Sequence, residues 1–142
     1  MKRNKEIKIR LCNWNNHDSN LLRKIHNHAV EAGYFNSKNK VSREEHKLWF
    51  ESRMNNQNTT IFIVDINKTS FGYVRFDLVA NNIYEVSLAN LPSRVGKGLG
   101  SFMLKRAINE FVKLKKPNMI TAVVKKFNER SISCFLKNKF EI

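Results

Sequence analysis

Gly96, Gly98 and Gly100 alternate through the stretch SRVGKGLGSFMLKRAINEF, and a helix pattern follows them at once. The start of a helix carries unpaired backbone amides and a partial positive charge, so it draws anions. It holds a phosphate closely only when the chain ahead of it lacks bulky side chains and can reach left-handed backbone angles, and glycine allows both. Lys97 adds a cation at the same place. The stretch reads as a phosphate cradle, although a tight strand-to-helix turn without a ligand would use the same residues. Two familiar cradles are excluded. No Gly-Lys-Ser/Thr closes the loop as a Walker motif would. A dinucleotide fingerprint asks for an acid at the end of the next strand, where this sequence has Lys125 and Lys126.

A helix and two flanking strands must hold that loop. After the glycines, Leu104, Ala107, Ile108, Phe111 and Leu114 recur at helical spacing until Pro117 breaks the pattern. Upstream, TTIFIVDI, FGYVRFDLVA and NIYEVSLANL are β-branched and aromatic runs separated by NKTS and NN, which predicts an antiparallel meander of three strands. Downstream, NMITAVVKK reads as a short buried strand and NERSISCFLKNKF as a last helix with Ile132, Phe135 and Leu136 inward. Strand, glycine loop, helix and strand make a crossover between parallel strands. Ahead of the meander, EIKIRLCNW alternates as a strand. DSNLLRKIHNHAVEAG is a helix capped by Asp18 or Ser19, with Leu21, Leu22, Ile25, Ala29 and Val30 on its apolar face and Gly33 at its end. VSREEHKLWFESRM opens with a capping box of Ser42 and Glu45. The order β-α-α-β-β-β-α-β-α is an α/β class (α+β in some schemes) with a mixed central sheet.

The 142 residues suit one domain spanning 1–142. Cys12 and Cys134 have no CxxC or metal-like spacing, so reduced thiols and no metal are expected. No apolar run approaches the roughly 20 residues of a membrane span. The basic start MKRNKEIKIR lacks the apolar segment of a signal peptide, and a cytoplasmic protein without membrane attachment is the expectation. The net charge of +14 attracts anions such as nucleic acid, acidic membranes or phosphorylated small molecules. Lys and Asn are spread along the whole chain, which reads as a bias of the sequence more than as one patch. No helix-turn-helix, RNP-like or zinc-finger signal supports nucleic acid as a partner.

With these elements in place, the sequence resembles the GNAT superfamily of acetyl-CoA-dependent N-acetyltransferases over essentially its whole length. PSRVGKGLGSFMLKRAI is similar to the family's pyrophosphate-binding motif Q/R-x-x-G-x-G/A, and NERSISCFLKNKF is similar to its closing helix motif. Three departures stand out. Val95 occupies the place of the usual Gln or Arg, with Arg94 one residue early. Phe135 stands where many members carry a Tyr that protonates the departing thiolate. The sequence ends where the family adds a C-terminal β-hairpin, so a shortened domain and an open sheet edge are expected, and such an edge invites a homodimer. In the N-terminal half, YFNSKNKVSREEHKLWFESRM and FGYVRFD resemble the branch that acetylates the 4-amino group of UDP-linked deoxy-aminosugars in pseudaminic acid synthesis. Ribosomal-protein N-terminal acetyltransferases share a related W-F helix, which keeps a peptide acceptor open. An inactive acyl-CoA-binding remnant or a basic nucleic-acid-binding protein is the non-enzyme reading.

The resemblance implies roles for particular residues. Acetyl-CoA would lie on Leu88 and its strand neighbours, on Val95, Gly96, Lys97, Gly98, Leu99, Gly100 and Ser101, and on Asn128 and Ser131 of the closing helix. Asn128 also suits a plain N-cap. Glu85, on the strand leading to the loop, is the candidate base that takes the ammonium proton, and an exposed Glu paired with a lysine is the alternative. His46 is a second candidate base able to titrate near neutrality, or else a solvated surface His. Phe35, Asn36, Trp49, Arg75 and Asp77 are candidates for binding a small-molecule amine, a nucleotide sugar in particular. Arg75 and Asp77 share a strand face, and either diphosphate binding or a cross-strand ion pair would use them. Cys134 reads as core, not as a nucleophile.

Overall fold

A computed structural model of the chain describes residues 7–13, 15–31, 41–90 and 99–142. Its elements follow the predicted order: β1 (Ile7–Leu11), α1 (Asn16–Glu31), α2 (Arg43–Met54), β2 (Thr59–Ile66), β3 (Thr69–Ala80), β4 (Ile83–Asn90), α3 (Leu99–Lys115), β5 (Met119–Thr121) and α4 (Glu129–Lys137). They form one sheet in the order β1-β2-β3-β4-β5. The first four strands are antiparallel neighbours, and β4 and β5 run parallel through the α3 crossover. Local chemistry sets the joints. Asn67 and Lys68 take φ of 49° and 72° between β2 and β3, and Asn82 takes 52° between β3 and β4, as tight hairpins require. The capping box of α2 is made, with Glu45 N donating to Ser42 Oγ at 3.1 Å and Ser42 N donating to Glu45 Oε1 at 3.3 Å.

The sheet carries a core on each face. Phe62, Val64, Val74, Phe76, Tyr84 and Val86 pack with Met103, Leu104, Ala107 and Phe111 of α3 and with Cys134 and Phe135 of α4. Ile61, Ile63 and Tyr73, on the opposite face, pack with Leu21, Leu22 and Ile25 of α1 and Phe50 of α2. A register shift between β2 and β3 skips Phe71. It sends Phe71 into the α3 core and turns Ser70 toward Arg10 on the other face. Gly72 beside it is obligatory. A Cβ there would lie 2.7 Å from Asn90 Oδ1, 2.8 Å from Met103 Cε and 2.9 Å from the Ala89 carbonyl.

Four expectations change. Asp18 does not cap α1, which begins two residues earlier, with Asn15 Oδ1 accepting from Asp18 N at 2.8 Å. Asp18 is fully buried and takes a bidentate grip from Arg10 at 2.7 and 2.8 Å, while Arg10 on β1 also holds Asp65 at 3.1 Å; a buried carboxylate is retained only with such charged hydrogen bonds. Burial by itself would raise the Asp18 carboxyl, but the Arg10 hydrogen bonds and the Asn13 amide outweigh it and hold it below the usual carboxylate range. Ser19 is not the cap either; its hydroxyl lies 3.4 Å from His46 Nδ1. β5 is shorter than NMITAVVKK suggested and is not buried, with Met119 55% exposed, because it is the outer strand with a neighbour on one side. Leu136 faces outward on α4, 47% exposed, while Cys134 and Phe135 take the inner face. The predicted end of α1 at Gly33 lies outside the described residues.

Candidate active site

β4 pairs with β5 at Ile83–Met119, Tyr84–Ile120 and Glu85–Thr121. β4 then runs on to Asn90, whereas β5 ends at Thr121. Beyond Glu85, β4 therefore has no strand beside it on that side among the described residues. The backbone of residues 86–90 offers amides and carbonyls along this slot, and such groups need partners. The first turn of α3 closes on the same strand. The position a Gly100 Cβ would occupy lies 3.7 Å from Leu88 Cδ1 and 3.6 Å from Cys134 Sγ, ordinary contacts that do not themselves demand glycine. α3 carries no acid in its first turn, so its positive end is not neutralised locally. Asn90 Oδ1, on the β3 side of the strand near Gly72, is buried without a hydrogen-bond partner. A buried acceptor left so costs about 1–3 kcal/mol until an N–H reaches it.

The residues expected to hold the cofactor divide into several groups. Leu88 and Leu99 pack their side chains on the α3 core, which leaves their backbone for binding. The Ser101 hydroxyl is already engaged: Asn138 Nδ2 donates to Ser101 O at 3.1 Å and to Ser101 Oγ at 3.2 Å, tying α3 to α4. Asn128 caps α4, its Oδ1 accepting from Ser131 N at 3.3 Å, so this cap uses the Ser131 amide. Val95, Gly96, Lys97 and Gly98 lie outside the described residues, as do Phe35 and Asn36. Phe135 is buried against Phe140, ring centroids 5.0 Å apart. Cys134 is buried in the α3 core, and that burial pushes its thiol up to about 11, as suits a packing residue and not a nucleophile. Among the described residues, no group of acids, histidines and cysteines could hold a metal ion.

On the face covered by α1 and α2, Glu85 stands half-buried opposite Asp77 on β3 and Thr121 on β5. No ion pair engages it among the described residues, so the alternative of a lysine-paired Glu is not seen. Tyr84 turns to the α3 core, as period two requires. Arg75 and Asp77 pair along one strand, not across two, with Arg75 Nε on Asp77 Oδ2 at 2.8 Å. Thr59 donates to the other oxygen of Asp77 at 2.9 Å. The Arg75 guanidinium lies 5.6 Å from the Trp49 ring centroid, and that of Arg53 lies 5.9 Å from it. Trp49, Arg75, Asp77 and Glu85 thus share one region of this face.

His46 corrects its prediction. It is 4% exposed, wedged between α1 and α2, with its ring 5.4 Å from Trp49 and 6.1 Å from Phe50. Burial, together with His26 and Arg23 nearby, pushes its pKa down to about 4. It is neither a surface residue nor a group titrating near neutrality, because its helix face is the one α1 covers. His26 is also lowered, by burial and then by Arg75. The sequence reading missed Arg23 and His26. Their spacing with Ser19 marks a polar stripe on α1, but a stripe of that kind is ordinarily solvated.

The buried His46 makes the fold acid-sensitive. Below the ordinary value of 6.5 the unfolded chain binds a proton that folded His46 refuses until about 4. The unfolded state binds more protons in that window, so stability rises with pH across it and is lost on acidification. At about 1.4 kcal/mol per unit, the expected loss from pH 7 to pH 4 is about 3 kcal/mol. Urea unfolding of wild type and His46→Gln at a series of pH values measures it; equal slopes for both proteins would refute this origin.

Among the described residues no helix is long and apolar enough to cross a membrane. The family described as Acetyltransferase (GNAT) domain matches residues 8–141. No curated protein matches the chain. An N-acetyltransferase from Staphylococcus aureus Mu50 is 26% identical, with TM-score 0.78, over 96% of this chain and 84% of that one. The structure of yncA from Salmonella typhimurium, solved with its cofactor acetyl-CoA, is 23% identical, with TM-score 0.80, over 95% and 79%. The Campylobacter jejuni N-acetyltransferase PseH is 20% identical, with TM-score 0.71, over 96% and 88%. The mixed five-strand sheet, the α3 crossover and the family match over nearly all of the sequence agree, and the chain belongs to the GNAT acetyltransferase family, enzymes that move an acetyl group from acetyl-CoA to an amine.

Proposed function

We propose that this chain transfers the acetyl group of acetyl-CoA to a primary amine, the 4-amino group of a UDP-linked deoxy-aminosugar. The observation that carries the reading is the parting of β4 from β5 beyond Glu85, with the start of α3 against the same strand. The slot fits the co-substrate. Pantetheine carries amide N–H and C=O groups that match the backbone of residues 86–90 along the slot. Gly96, Gly98 and the amides of Leu99, Gly100 and Ser101 would take the pyrophosphate, with Lys97 beside them.

In this reading Glu85 takes the proton of the ammonium, directly or through one water, so that the neutral amine attacks the thioester carbonyl. The C–N bond forms as the C–S bond breaks, the thiolate leaves, and the second proton of the acylated nitrogen passes through water to the thiolate or to solvent. An ordinary thiol has a pKa of about 8.5, so the leaving group does not require the proton that Phe135 lacks. Holding the two substrates together supplies much of the rate, on the order of 7–11 kcal/mol in favourable cases. The likeness of the α2 and β3 segments to the sugar-nucleotide branch, and the fold shared with PseH, support the acceptor class. Two free, buried thiols fit a reducing, cytoplasmic compartment. A homodimer would cover the outer side of β5, where Met119 and Val123 are exposed.

Calorimetry with acetyl-CoA tests the reading. Wild type binds at micromolar concentration, and Gly98→Glu, which puts a carboxylate in the cradle, weakens binding more than about tenfold, a loss above about 1.4 kcal/mol. Wild type that binds no acetyl-CoA would end it.

A further inference from the structure

The geometry points to Arg23 as a specificity-determining residue: with Arg75 it forms a cationic shelf beside His26 and Trp49 that takes the diphosphate of the acceptor while Glu85 meets its amine. The inference rests on the proposed transferase reading for the role of Glu85. The shelf itself rests on the packing of α1 and α2 over the sheet.

Ser19, Arg23 and His26 lie on one face of α1, spaced four and three residues apart. His46, Trp49, Phe50 and Arg53 form the matching stripe on α2. The two stripes meet, since Ser19 Oγ is 3.4 Å from His46 Nδ1. The His46 ring is also 5.4 Å from that of Trp49, so His46 joins the α1 stripe, one turn before Arg23, to Trp49. The Arg75 guanidinium then lies 5.6 Å from the centre of the Trp49 ring. Asp77 is the carboxylate bonded into this cluster, and Arg75 and Thr59 already occupy both of its oxygens.

Arg23 is the unexplained member. Its Nε is buried and has no hydrogen-bond partner. A guanidinium donor held in that state is costly unless a ligand completes it, and its planar fork matches phosphate oxygens. The guanidinium charges of Arg23 and Arg75 oppose a polycation. The shelf therefore selects a phosphorylated amine and rejects a polyamine or a lysine-rich peptide. A nucleoside diphosphate and a bare diphosphate share the recognised group, and Trp49 offers the aromatic surface that only the nucleoside would use.

UDP and inorganic pyrophosphate are titrated by calorimetry into the full chain saturated with CoA, which fills the cofactor slot and leaves the shelf. UDP binds, and Arg23→Gln weakens it about 10- to 100-fold, as the loss of a charge-assisted hydrogen bond predicts. Arg23→Lys, which keeps charge but loses the fork, falls between. CoA affinity is unchanged in both variants, which shows that they fold. Pyrophosphate weaker than UDP supports a nucleotide acceptor; equal affinities support a site that reads the diphosphate alone. Failure of both to bind wild type, or undiminished UDP binding by a CoA-competent Arg23→Gln, overturns the proposal. If wild type binds no CoA, the transferase reading fails separately, and the same Arg23→Gln comparison on the free chain still decides the shelf.

Discussion

Glu85→Gln lowers kcat/KM for acetyl transfer to a UDP-linked 4-amino sugar by about 100- to 10,000-fold, the range expected for removing a general base. The substitution keeps the size of a half-buried side chain on β4 and removes only its ability to accept a proton. Its neighbours make this a clean change. Asp77 directly across is already held by Arg75 and Thr59, so its carboxylate is not free to substitute. His46, held near 4, sits between α1 and α2 and is a poor proton acceptor at neutral pH. Acetyl-CoA affinity measured by calorimetry stays at the wild-type value, because the proposed pyrophosphate and pantetheine partners lie further along β4 and on α3. The loss appears in kcat. A Glu85→Gln protein with wild-type kcat would remove Glu85 from the mechanism and leave deprotonation to water.

Phe111→Ala destabilises the fold by about 3–5 kcal/mol, the usual cost of deleting a fully buried aromatic ring. Phe111 is 0% exposed. Its ring lies 4.0 Å from that of Phe76 at 2° and 4.8 Å from that of Tyr84 at 79°, so one side chain of α3 is stacked on β3 and edge-on to β4. No nearby side chain can fill the hole without leaving its own contact, since Leu104 and Ala107 are also fully buried. Urea unfolding of a domain this size is treated as two-state, and a lower midpoint at unchanged slope reads the loss. Phe111→Leu costs less than Phe111→Ala, because it restores part of the volume. The ring also aims α3, whose start forms the end of the slot. Acetyl-CoA affinity therefore falls in Phe111→Ala even where the protein remains folded. An unchanged midpoint for Phe111→Ala would mean that this core is far looser than its packing indicates.

The sequence alone determined the element order, the α2 capping box, the hairpin positions and the crossover through α3. Each rests on local chemistry: period two or 3.6, a serine three residues ahead of a glutamate, an asparagine able to take positive φ. The glycine run and the closing-helix motif carried the family because they are contiguous strings. Glu85 was named on a similar ground, its place on the strand before the loop, and the Glu85→Gln measurement tests it. What the tertiary structure decided concerns residues far apart in the chain. Asp18 has the look of a helix cap until Arg10, on a strand paired to β2, draws its carboxylate into the core. β5 reads as buried until the sheet order leaves it at the edge. His46 reads as solvated until α1 lies over it, and Arg23 and His26 read as a surface stripe until that same packing brings them to Trp49 and Arg75. Periodicity says which face of a helix is polar. Only the packing of that face against another element says whether water, a protein group or a ligand meets it, because burial and proximity set the cost of each charge.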